Sequence, residues 1–182
     1  MKKLNYVIVL TLLMGISGIS KLNAQSPYEM SIGGILGNMN GASFKMFLSG
    51  NLALQADLGF KFHSFLDNRI HPYPGYPHGY RPLFQFWTIE VNPNLVYQGN
   101  IYKWNVGHLQ WFAGGGLSIG YAMNNGGKFG VNAMGGAEFT FSQIPLTLQM
   151  DFRPGYGLWF AQRWPNQSYF DWMIGVSARY TF

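Results

Sequence analysis

The chain has 182 residues, no cysteine and only 10% charged residues against 18% aromatic ones, where ordinary soluble domains carry about a quarter charged. Thiol catalysis, disulfides and cysteine-ligated metals are excluded. The net charge of +5 falls to +2 once Lys2, Lys3 and Lys21 are set aside with residues 1–24, which hold no acid, so the basic balance is no footprint of nucleic-acid binding.

The first element is "MKK" followed by the apolar run "YVIVLTLLMGISGI" and then "KLNAQS", with a small residue at Ala24. This pattern predicts a secretory signal peptide over residues 1–24, cleaved between Ala24 and Gln25. The apolar run is too short and wrongly flanked for a transmembrane helix, and no cysteine lies beside the site to carry a lipid anchor. Residues 25–182 are then expected to form one domain. Past the signal, no apolar run reaches the roughly 18 residues of a spanning helix.

Period-two alternation runs along the rest of the chain and predicts eight strands, at about 28–37, 42–49, 51–63, 83–98, 107–122, 129–142, 145–160 and 169–182. In "LALQADLGFKFH", Leu54, Ala56, Leu58, Phe60 and Phe62 share one face, while Gln55, Asp57, Gly59, Lys61 and His63 share the other. In "TIEVNPNLVYQ", Ile89, Val91, Pro93, Leu95 and Tyr97 oppose Thr88, Glu90, Asn92, Asn94 and Gln98. In "LTLQMDFRPGYGLWF", Leu146, Leu148, Met150 and Phe152 oppose Thr147, Gln149, Asp151 and Arg153. The last strand sets Phe170, Trp172, Ile174, Val176, Ala178, Tyr180 and Phe182 against Asp171, Met173, Gly175, Ser177, Arg179 and Thr181. The connectors "NMNG", "SGN", "GNIYKWN", "MNNGGK", "SQIP" and "AQRWPNQSY" are short beside the loop at 64–82.

The ionic residues inside these strands decide which face is inside. Glu29, Lys45, Asp57, Lys61, Glu90, Glu138, Asp151, Arg153, Asp171 and Arg179 all fall on the polar or small face. Six acids and four bases share that face with the glycines, which suits a crowded interior where opposite charges pair. The other face carries rows of large aromatic and aliphatic residues, which suits lipid. A lipocalin-like soluble barrel would have the reverse pattern. Strands in hydrocarbon leave no backbone group unpaired, so the expected fold is a closed, all-β, eight-stranded antiparallel up-and-down transmembrane barrel. Most of the segments are long enough to cross a bilayer, which takes about 9–11 tilted residues. Tyr28, Tyr97, Tyr102, Trp104, Trp111 and Tyr180 lie near strand ends, where aromatic girdles belong. The loop at 64–82 falls on the outer side if the termini are periplasmic.

The signal ending in "NAQS", the hairpin "GASFKMFLSGNLALQADLGFKF" and the terminal "GVSARYTF" resemble a known family. The chain is similar to the small eight-stranded outer-membrane barrels of the OmpX and OmpA-transmembrane-domain class. More closely, it resembles the "outer membrane protein beta-barrel domain" proteins of Bacteroidota-type bacteria. The resemblance implies residence in a bacterial outer membrane, surrounded by its lipid. It also implies that Tyr180 and Phe182 form the terminal signal read by the outer-membrane assembly machinery. It names no activity.

Chemistry is sparse. The lumen residues are expected to form a structural polar network across a narrow barrel that side chains can fill. A lipid A deacylase would need a histidine and a serine two apart on one face; the only close pair, His63 and Ser64, is adjacent and points to opposite faces. His108 has no evident serine and acid partners. In the long loop, Pro72, Pro74, Pro77 and Pro82 stiffen the chain. His71, Tyr73, Tyr76, His78 and Tyr80 are its candidate contact residues, and its histidine spacing matches no defined metal motif. "AGGGLSIG" lacks the Lys-Ser/Thr ending of a phosphate loop. The expected protein is thus non-catalytic and takes no cofactor. Its role is structural or surface-interacting; an accessory subunit of an envelope complex, and a protein partner met through loop 64–82, are candidate forms of that role. A narrow pore is the alternative, followed by a lipid A-modifying enzyme.

Overall fold

A computed structural model describes residues 28–65, 84–122, 126–160 and 167–182. Eight strands follow in chain order: β1 (Met30–Gly37), β2 (Met39–Ser49), β3 (Leu52–Phe65), β4 (Phe84–Trp104), β5 (Gly107–Ala122), β6 (Gly126–Phe141), β7 (Leu146–Phe160) and β8 (Gln167–Thr181). Each is antiparallel to its neighbours in sequence, and β8 pairs with β1 to close the ring. There is no helix among the described residues.

The alternation dictates this form. A sheet with one polar and one apolar face, and no second layer to cover either, separates the two by curling on itself. Closure also leaves no edge strand. At the seam, Met30 N donates to Phe182 O at 3.0 Å and Phe182 N donates to Met30 O at 2.9 Å, so the last residue is locked into the ring. Register fixes the stagger. From Ser31 the paired residues run through Lys45, Gln55, Asn94, Gly116, Asn132 and Gly155 to Asp171. Asp171 lies four residues before Gly175, whose partner on β1 is Gly37, so the circuit closes ten positions beyond Ser31. A stagger of this kind goes with strands tilted by about 35–45° to the axis.

The near end carries Tyr28, Phe182 and the turns Gly50–Asn51, Asn105–Val106 and Ser142–Pro145. The far end carries Asn38 and the strand ends at Phe65, Phe84, Ala122, Gly126, Phe160 and Gln167. Three strand limits differ from the sequence-based expectation by three residues or more, and β3 runs two residues past its expected end, to Phe65. β2 begins at Met39, because a single residue, Asn38, makes the turn from β1. Gly37 permits this with φ of 144°, where a Cβ would lie 2.2 Å from Ile174 O. β4 continues to Trp104, and β6 begins at Gly126.

Candidate functional site

Outer wall and lumen have inverted polarity. Among the described residues, twenty-one polar or charged side chains are buried against ten apolar ones, while thirty-two large hydrophobic side chains are exposed on the outside. Along β8, Phe170, Trp172, Ile174, Val176 and Tyr180 are exposed, whereas Met173, Ser177 and Arg179 are buried. On β3, Leu58 and Phe60 face out and Gln55, Asp57 and Lys61 face in. A buried charge is tolerated only when paired and hydrogen-bonded, and the lumen meets that demand in three tiers.

The near tier is centred on Glu138 of β6, which is fully buried. Its carboxylate accepts from Lys45 Nζ at 2.9 Å, Arg179 Nη2 at 2.5 Å, Tyr28 Oη at 2.7 Å and Gln98 Nε2 at 2.9 Å. Lys45 also donates to Gln98 Oε1 and lies 5.3 Å from the centre of the Phe112 ring. Arg179 Nη1 donates to Ser43 Oγ at 3.1 Å and Ser177 Oγ at 3.0 Å. Gln98 and Gln110 carry the network to Asn100, by bonds of 2.7 Å and 2.9 Å. Two cations share one anion here, so the tier holds a surplus positive charge, distributed over glutamine and serine oxygens.

The middle tier has the opposite balance. Arg153 of β7 pairs with Asp57 of β3 across the lumen at 2.5 Å and with Asp151, two residues away on its own strand face, at 2.6 Å. Gln55 Nε2 donates to Asp57 at 3.2 Å and Gln149 Nε2 to Asp151 at 2.9 Å, which helps to solvate the surplus negative charge. In the far tier, Lys128 pairs with Glu90 and, at 3.3 Å, with Asp171, to which Lys61 also donates. Thr88 Oγ1 donates to Glu90 at 2.8 Å. The three tiers together hold five cations and five anions. Between the polar groups, two apolar clusters fill space, Ile35–Met39–Met173 and Val96–Phe112–Met134. A cavity of about 20 Å³ lies between the middle and far tiers.

Nine of the ten residues read from the sequence as lumen charges lie in these tiers. The exception is Glu29, which precedes β1 and is exposed; its backbone carbonyl accepts from Phe47 N at 2.9 Å. Its parity is right, but the wall ends before it. Lys128 is a further lumen cation, at a position expected in the connector "MNNGGK". Its parity with Asn132 and Glu138 was the available signal. Tyr28 is a second correction. It is buried rather than part of an outer girdle, its ring edge-on to Phe47 at 5.2 Å, and it caps the near tier through Glu138. Burial, with the Glu138 carboxylate beside it, holds the Tyr28 hydroxyl well above the ordinary phenol pKa, so it stays a donor.

Aromatic contacts do gather on the near rim of the outer wall. Tyr102 and Trp104 lie 4.5 Å apart, Trp104 and Phe139 6.2 Å, Tyr97 and Trp111 6.0 Å, and Tyr180 and Phe182 6.2 Å. Simple alternation from Gln98 and Asn100 would turn Tyr102 and Trp104 inward. A bulge between Asn100 and Tyr102 adds Ile101 to β4 and flips the parity, which sends both rings out.

His63 and Ser64 are consecutive on β3, opposite Phe86 and Gln85 of β4. The loop residues His71, Tyr73, Tyr76, His78 and Tyr80 lie outside the described residues. No cluster of three or more metal-ligating side chains occurs among the described residues. Comparison of the chain with protein-family models, curated proteins and solved structures gives no match. The fold and the lumen define the class on their own: a closed eight-stranded antiparallel barrel with an ion-paired interior and an apolar outer wall.

Proposed function

We propose that this chain is exported, loses residues 1–24 and resides as a transmembrane barrel in a bacterial outer membrane. There it has a non-catalytic, structural or surface-interaction role, as an accessory subunit of an envelope complex. The observation that carries the reading is the inverted polarity, with the large hydrophobic side chains outside and the ion pairs inside. In water this wall would expose apolar patches far beyond those of monomeric soluble proteins. In hydrocarbon it is the favourable arrangement, and the closed ladder leaves no strand edge to lipid. The near-rim aromatics fit an interfacial girdle. Tyr180 and Phe182, outward-facing and next to the seam, fit a terminal element recognised during assembly.

The non-catalytic reading rests on the lumen, where the charged groups are engaged with one another. A conducting pore would require the three tiers to part. The expected loop at 64–82 becomes the connection 66–83, because β3 continues to Phe65 and β4 begins at Phe84; this segment is the proposed contact with a protein partner, since β3 ends and β4 begins at the end opposite the termini.

Fractionation and native size test the proposal together. The mature protein, beginning at Gln25, is expected in the outer-membrane fraction and to require detergent for extraction. A particle larger than one barrel with its detergent is expected, with the partner co-purifying. Release as a soluble protein by osmotic shock refutes the membrane reading. A single-barrel particle refutes the accessory role, and stepwise conductance in a planar bilayer would replace the structural reading with the pore.

A further inference from the structure

We propose that the barrel binds one buried water molecule between its middle and far charge tiers, an inference that needs the barrel interior but not the membrane assignment. The cavity there measures about 20 Å³, and about 10–15 Å³ suffices for a single water. Its lining includes Lys61 and Arg153 on the positive side, and Glu90 and Asp171 on the negative side. These charges cancel, and each already has a partner: Lys61 with Asp171, Arg153 with Asp57 and Asp151, and Glu90 with Lys128. A cation would sit beside Lys61 and Arg153, and an anion beside Glu90 and Asp171. Neither sign is favoured, so the occupant is neutral.

Two polar atoms of the lining point to what that neutral group must do. Tyr169 is 8% exposed and its hydroxyl is buried without a hydrogen-bond partner. Asn132 donates through Nδ2 to Ser118 Oγ at 3.0 Å, while its Oδ1 is buried and unpartnered. An unsatisfied buried polar atom costs about 1–3 kcal/mol. A water donates to the amide oxygen and either accepts from or donates to the phenol, so one molecule answers both. The fold makes the space with glycine. Gly155 lines the cavity, and a Cβ at that position would lie 3.5 Å from Asn132 Cβ. Gly130 and Gly157 admit the phenol itself, since a Cβ on either would come within 2.7 Å of Tyr169 Oη. Through this water, Asn132 of β6 and Tyr169 of β8 are joined inside the ring.

The test uses the mature chain folded in detergent micelles and isotope-labelled for NMR. Expected is a cross-peak of the sign given by a long-lived water between the water line and the Asn132 side-chain amide. Gly155→Ser should abolish that cross-peak, because its hydroxymethyl group takes the water's place, while the dispersed barrel spectrum remains. Tyr169→Phe removes one of the water's two partners and should lower the cross-peak at least twofold, which keeps the test alive if the serine variant fails to fold. Absence of the cross-peak from the unsubstituted protein, or its persistence unchanged in either folded variant, overturns the proposal.

Discussion

Replacing Glu138 by glutamine keeps the shape of the near tier and removes its only anion. Glu138 is fully buried and faces both Lys45, at 2.9 Å, and Arg179, at 2.5 Å. Glu138→Gln leaves two buried cations sharing amide, hydroxyl and phenol oxygens. Removing one partner of a buried pair destabilises by about 3–5 kcal/mol, a fall of roughly two to nearly four powers of ten in the folded-to-unfolded ratio. The surplus positive charge makes the reciprocal change asymmetric. Lys45→Met leaves Glu138 and Arg179 paired one to one, and its new side chain lies beside Phe47 and Phe112. It should therefore cost clearly less than Glu138→Gln, and the double variant should recover at least about half of the glutamine loss. Urea unfolding in lipid vesicles, followed by tryptophan fluorescence, measures all three. A Glu138→Gln loss under about 1 kcal/mol, or a larger loss from Lys45→Met, would refute the assignment of Glu138 as the charge that holds the near tier.

Three further outcomes are expected. Tyr28 has its pKa raised by burial and by Glu138, so the unfolded chain deprotonates first, near pH 10. The Tyr28 contribution is thus intact below about pH 10 and lost as pH rises above it; Tyr28→Phe should flatten the fall in unfolding midpoint between about pH 9.5 and 11. Leu58→Arg places a charge on the outer wall, where Leu58 is 52% exposed. In a bilayer this should destabilise by about 2–4 kcal/mol, whereas an unchanged midpoint in vesicles would argue for a water-facing wall. Gly37→Ala, at φ of 144° and against the Ile174 carbonyl, should lower stability by about 1–3 kcal/mol; a neutral result in the same assay would show that the Asn38 turn tolerates another backbone.

The alternation was legible because a strand shows its two faces at every second residue, and no other element has that period. The eight segments, and the shared face of Lys45, Asp57, Lys61, Glu90, Glu138, Asp151, Arg153, Asp171 and Arg179, follow from it. Alternation misleads where it meets a strand end. Lys128 sits on the inward parity, but it follows Gly126 and Gly127, which read as a turn. Glu29 has the same parity as Ser31, but it precedes the first residue of β1 and its side chain is exposed at the rim. Tyr28 reads as a girdle residue because a sequence shows nearness to a strand end, not the direction of the ring.

By itself, the sequence determined that this chain forms strands with one charged and one apolar face, because side-chain direction along a strand is a local property. It also determined that the charges on that face come in both signs. Tertiary structure alone decided which cation meets which anion. Lys45 and Glu138 are on β2 and β6, four strands apart. They meet only because the ring closes with a ten-position stagger that brings them to one level across the lumen. The same holds for the bulge at Ile101, which reverses the parity of Tyr102 and Trp104, and for the cavity beside Gly155. Pairing across a lumen depends on register summed around the whole ring, and no local stretch of residues contains that sum.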